Sequence, residues 1–127
     1  MSALVLKIAI DRTPLTQALF DGAVASERVA FDFVEVKPIT RAFRRMARAL
    51  EFDACEMALV TLAVAHRFAI PLTGIPAVLL REYPLSKLLC LRDSPVRQAA
   101  DLRGRRIAAR SYSQTTVVWI RGLLETE

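Results

Sequence analysis

Apolar residues along this chain gather in short runs separated by turn-formers, and their periods alternate between strand-like and helix-like. Residues 4–10 form a nearly continuous apolar run that ends in Asp11-Arg12-Thr13-Pro14, as a buried parallel strand leading into a helix would. Pro14 suits a helical first turn, and Asp21-Gly22 closes a helix predicted to end at Phe20. Val29, Phe31 and Phe33 then alternate with Ala30, Asp32 and Val34, which predicts a second strand over residues 29–36. Helical periodicity is clearest over residues 38–50. Ile39, Phe43, Met46 and Leu50 fall on one stripe, and Arg41, Arg44, Arg45 and Arg48 fall opposite, as a solvated face or an anion-facing one.

Residues 51–56 read as a short strand, followed by a buried helix over residues 58–68. Further strands are expected over residues 72–80, 87–91 and 105–109, with a turn at Tyr83-Pro84 and a turn or single helical turn at Asp101-Leu102-Arg103-Gly104. Ser111-Tyr112-Ser113-Gln114 opens a last helix over residues 115–124, in whose core Trp119 is placed. The succession of strand and helix with short connections argues an α/β fold with a mainly parallel sheet. Ligands of such sheets bind outside the carboxyl ends of the strands, which points to Asp11-Arg12-Thr13, Glu56-Met57 and residues 111–115.

Composition narrows this picture. In 127 residues, 54% are hydrophobic and 24% charged, which excludes a disordered or collagen-like chain. Fifteen Arg and three Lys against thirteen acids give a net charge of +5, suited to an anionic partner. The charge is scattered and no helix-turn-helix, zinc-finger or aromatic RNA-binding signature accompanies it, so no nucleic-acid partner is expected. Cys55 and Cys90 stand far apart without CxxC or His-rich surroundings, and are expected as buried thiols in a reducing compartment with no metal site. Residues 1–10 carry no basic n-region and Lys7 breaks the apolar run, so no signal peptide and a cytoplasmic location are expected. The greasiest stretch, residues 57–80, contains His66, Arg67, Pro71, Gly74 and Pro76 and is too broken to be a membrane span.

Several side chains could carry chemistry. Arg12 can clamp a carboxylate with two parallel hydrogen bonds, beside Asp11 and the Thr13 hydroxyl; helix capping by Asp11 or Thr13 is the simpler alternative. Glu56 lies between a strand and an apolar helix, where desolvation would keep a carboxylic acid available as a proton donor; a helix-entry glutamate is the alternative. Ser113 and Thr115 offer hydroxyls beside main-chain N–H groups at a helix start, for an anion or for simple capping. Arg81 and Tyr83 are placed either at a ligand or on a surface turn, and His66, among Val, Leu and Ala, reads as structural.

Asp11-Arg12-Thr13, Phe43 with Met46, residues 51–57, residues 101–107 and Val118-Trp119-Ile120-Arg121-Gly122 stand in an order that resembles the 4,5-dihydroxyphthalate decarboxylases. The resemblance implies a type II periplasmic-binding-protein-like fold of two lobes and a carboxy-lyase that is metal-free or at least free of organic cofactors. Its reaction would take 4,5-dihydroxyphthalate to protocatechuate. It also implies roles: Arg12, Thr13, Arg81, Ser113 and Thr115 bind the small aromatic carboxylate, and Glu56 or Asp11 donates the proton to the ring carbon. The chain departs from the family at Arg81-Glu82-Tyr83-Pro84-Leu85-Ser86, where Arg81 and an aromatic residue are what it retains.

Members of that family are about twice as long, since each lobe needs its own core. Residues 1–90 are therefore expected to form the leading segment of one lobe, and residues 91–127 the crossover and first strand and helix of an incomplete second lobe. No membrane partner is expected, and a homo-oligomer is compatible with this reading. The runner-up is a small-anion solute-binding or ligand-sensing protein that uses the same cleft without chemistry.

Overall fold

A computed structural model describes residues 2–126. They divide into two compact units, one reaching to Leu80 and the other beginning at Arg81. The first unit runs β1 (Leu4–Ala9), α1 (Gln17–Phe20), β2 (Val29–Phe33), α2 (Thr40–Ala49), β3 (Ala54–Cys55) and α3 (Leu59–Arg67). Its strands form one sheet in the order β2-β1-β3, and both pairings are parallel. The α/β reading with a parallel sheet therefore holds.

Register places every chemical feature. Leu4, Leu6 and Ile8 of β1 stand opposite Val29, Phe31 and Phe33 of β2, so these six share one face. On that face Phe20 of α1 stacks on Phe33, with ring centroids 4.1 Å apart. Ala9 points to the other face and joins Val36, Ala42, Met46, Phe52, Ala65 and Leu72 in the core cluster. Ala9 and Ala42 are both 0% exposed, so the small residues on β1 and α2 let the helix lie close on the sheet. Beyond the strands, Val34 N–H donates to Ile8 O (2.9 Å) and Glu56 N–H donates to Ala9 O (2.8 Å), which ties the chain leaving β2 and β3 to β1.

The polar rim of this core is also built in. Asp53 binds Lys7 twice, donating its N–H to Lys7 O (2.9 Å) and accepting the Lys7 N–H at Oδ2 (2.8 Å). Arg45 forks onto the Glu51 carboxylate, with the Nε bond at 2.6 Å, and its guanidinium lies 5.0 Å from the Phe52 ring centroid. Arg41, Arg44 and Arg48 are exposed, as the helical stripe predicted. Leu50 departs from that stripe. It ends α2 in the left-handed region (φ 49°), donates its N–H to Met46 O and is exposed. The chain must leave the helix there to reach β3, and Leu50 turns outward with it.

Other expectations are corrected. The helix expected from Pro14 is confined to Gln17–Phe20, because Thr13–Thr16 forms a side-chain-stitched turn first. Residues 72–80 are irregular: Pro71 and Pro76 lack the N–H that a ladder needs, and the local bonds Leu72 N–H to Ile70 O and Ala77 N–H to Ile75 O are tight turns. In α3 the buried residue is Ala65, whereas Leu59, Val64 and His66 are exposed, so the helix is not a buried one.

The second unit contains two 3-10 turns, Pro84–Lys87 and Ala99–Leu102, and α4 (Thr115–Glu125). Residues 87–91 and 105–109 are not strands, since their main chain closes local turns and no ladder partner occurs among the described residues. Asp101 does form the expected helical turn, accepting the N–H groups of Arg97 (2.8 Å) and Gln98 (3.1 Å); those bonds hold its carboxyl below the usual range. Within this unit α4 packs on the Pro84–Lys87 turn and buries Ile120. Trp119 is 54% exposed rather than core, because Ile120 occupies the inward position of that helical turn. Cys90 is likewise exposed rather than buried. No helix among the described residues is long and apolar enough to cross a membrane.

Candidate functional site

A cavity of about 300 Å³ opens beyond the carboxyl ends of β1 and β2, where parallel sheets place their ligands. Ile10, Asp11 and Arg12 enter it from the end of β1, and Val34, Glu35, Val36 and Lys37 from the end of β2. Phe20 and Phe33 supply an aromatic wall. Its size matches the low end of the range for small-ligand pockets, roughly 300–1,000 Å³.

The charged groups are ordered around that wall. The Arg12 guanidinium lies over the Phe20 ring, 4.6 Å from its centroid, and its Nη1 donates to Asp21 Oδ1 at 3.3 Å. Stacking and pairing together fix a long side chain that water would otherwise leave mobile. Lys37 Nζ makes an ion pair with Glu35 across the strand exit. The bond from Lys37 holds the Glu35 carboxyl below its usual range, with Arg12 adding to it. Glu35 in turn raises Lys37, with Asp11 adding to that. The four groups thus alternate in sign, each strand end contributing one acid and one base.

The floor of the β1 exit is set by Thr16, which is 2% exposed. Its hydroxyl donates to Asp11 O at 2.7 Å and accepts the Thr13 N–H at 2.9 Å. Thr13, expected at the ligand or as a cap, is half-buried, and its hydroxyl faces that of Thr16 at 3.3 Å. The Thr13 carbonyl accepts the first α1 amide, from Gln17, at 2.9 Å. Glu56 is half-buried at the end of β3, and its Oε2 accepts the Asp11 N–H at 3.1 Å. The fold therefore brings Asp11, Arg12, Thr13 and Glu56 together. Arg81, Ser113 and Thr115 belong to the second unit. There Arg81 and Ser113 are exposed, and Thr115 begins α4 beyond Gln114, which makes no side-chain cap.

Residue patterns did not single out Glu35, Lys37, Phe20, Phe33 or Thr16. The signal was present: an acid and a base follow β2 as they follow β1, but residues 34–36 read as the continuation of the strand. Among the described residues, no group of three or more His, Cys, Asp or Glu is arranged to hold a metal ion.

Comparison with known proteins adds to this geometry. Over an alignment of 128 residues the chain is 31% identical to a 4,5-dihydroxyphthalate decarboxylase of Comamonas testosteroni. It is 30% identical to one of Pseudomonas putida over the same length. This chain is similar to decarboxylases. Each alignment takes in 100% of the chain but only 38% and 49% of the two relatives, so the chain spans half their length or less. No family model matches, and no solved structure matches. The likeness to the two decarboxylases is distant in identity, and it includes the strand ends that build the cavity.

Proposed function

We propose that the cavity at the ends of β1 and β2 is part of the substrate site of a carboxy-lyase that removes one carboxylate from an aromatic dicarboxylate. The compound named for both relatives, 4,5-dihydroxyphthalate, is the substrate we assign. The observation that carries this reading is the pairing of an aromatic wall, Phe20 on Phe33, with a guanidinium fixed over it. An aromatic acid presents a flat apolar ring and an anionic edge, and the cavity offers a partner for each.

The reaction cleaves the bond between a ring carbon and its carboxylate, releases carbon dioxide and leaves the electron pair on the ring carbon, which then takes a proton. Arg12 holds the carboxylate that remains. Asp11, which is among the residues lining the cavity, delivers the proton. Glu56 acts as a positioning residue: accepting the Asp11 N–H, it fixes the main chain from which the Asp11 carboxyl projects. Thr13 and Thr16 hold the same turn from the other side. Arg81, Ser113 and Thr115, in the second unit, stay proposed substrate-binding residues, with no particular group of the substrate assigned to them.

The same reading carries a type II periplasmic-binding-protein-like architecture of two lobes, residues 1–90 contributing to the first, and a cytoplasmic location. Carbon dioxide release from 4,5-dihydroxyphthalate by the polypeptide of the complete reading frame tests it. Stoichiometric release supports the reading. Tight binding without release supports a ligand-sensing protein instead.

A further inference from the structure

We infer that Lys37 is the specificity-determining cation of this cavity, held in reserve by Glu35 and released to the second of two adjacent carboxylates on an aromatic ligand. The inference rests on the aromatic-acid reading above and deepens it. Arg12 and Lys37 come from the ends of adjacent parallel strands and line one small cavity, so a single ring can present neighbouring anionic groups to both.

Their existing partners differ in a useful way. Arg12 is tied to Asp21 and to the Phe20 ring, and Asp21 does not line the cavity, so that guanidinium is anchored from outside. Lys37 is tied to Glu35, which lines the cavity itself, and both side chains are well exposed, at 79% and 71%. An exposed ion pair is worth little, so a ligand carboxylate can exchange with Glu35 at small cost. A ligand with one carboxylate is satisfied by Arg12 alone. A ligand with two recruits Lys37 as well, and the compact, mobile ammonium on its four-carbon stem suits that exchange.

Calorimetric titration of the whole 127-residue chain with phthalate and with benzoate tests the inference. Lys37→Met is expected to weaken phthalate binding about tenfold and benzoate binding by less than about threefold, since one charge-assisted contact is lost for the dicarboxylate alone. Glu35→Gln removes the internal competitor and is expected to tighten phthalate binding. A merely structural ion pair would instead make both variants weaken binding. Weakening by both, an unchanged phthalate to benzoate ratio in Lys37→Met, or no phthalate binding by the unsubstituted chain would each overturn the inference. Carbon dioxide release is read separately: turnover with an unchanged ratio removes Lys37 but keeps the lyase reading, and a shifted ratio without turnover does the reverse.

Discussion

The Glu56 carboxylate, at the end of β3, accepts the main-chain N–H of Asp11, at the end of β1, across 3.1 Å. One carboxylate thus holds the backbone of another acidic residue that lines the cavity. The two have separable roles in the proposed reaction. Asp11→Asn cannot deliver a proton and is expected to lower turnover of 4,5-dihydroxyphthalate about 100-fold or more, the usual scale of a lost general acid. Glu56→Gln keeps an acceptor oxygen and is expected to lower turnover by less than about tenfold, whereas Glu56→Ala, which releases Asp11, costs more. Equal, large losses for Glu56→Gln and Asp11→Asn would place the proton on Glu56.

Arg12 combines a stacking contact on Phe20 with an ion pair to Asp21. Lysine keeps the charge but neither the planar stack nor the paired donors. Arg12→Lys is therefore expected to weaken both phthalate and benzoate about tenfold while leaving the thermal midpoint nearly unchanged, because the side chain is half exposed. Selective loss of phthalate alone would contradict the division of labour between Arg12 and Lys37.

The two cysteines differ in reactivity. Burial, with the neighbouring Glu56 carboxylate adding to it, pushes the Cys55 thiol up to about 11, and its Sγ donates to Glu56 O at 2.9 Å. Both causes disfavour the thiolate, which is the reactive form. At about pH 8 the folded chain is expected to take up one iodoacetamide, at the exposed Cys90, and the second only as pH approaches that of the raised thiol. Mass spectrometry of the alkylated chain reads the result, and rapid double labelling at the lower pH would contradict it.

Leu50 sits in the left-handed region at the end of α2, where an L side chain is strained and glycine is not. Its side chain is exposed, so little packing is lost on removing it. Leu50→Gly is expected to raise the stability of the chain by about 0.5–1 kcal/mol, measured as a higher urea midpoint. A lower midpoint would show that the exposed leucine makes contacts that outweigh the strain.

Much of the first unit was legible along the chain. The apolar runs at β1 and β2, the helical stripe of α2 and the entry to β3 each follow a period that local structure enforces, and all lie within a few residues of where the pattern put them. Asp11 and Arg12 were legible as residues of the cavity lining because the end of a parallel strand is a chemical address as well as a boundary. The failures have a common physical cause. Apolar runs such as residues 72–80 and 105–109 look like strands locally, but a strand exists only where a ladder partner is in reach, and the hydrophobic pattern does not encode that. Lys37 and Glu35 were missed for the converse reason: β2 ends at Phe33, earlier than its apolar run, and that early ending turns strand residues into cavity lining.

The most direct test of the central claim is a two-dimensional amide NMR titration of the 127-residue chain with phthalate. Saturable shifts are expected, concentrated at residues 10–12, at Phe20 and at residues 33–37, with Glu56 following through its bond to Asp11. Absence of saturable shifts, or shifts confined to residues away from the ends of β1 and β2, would contradict it.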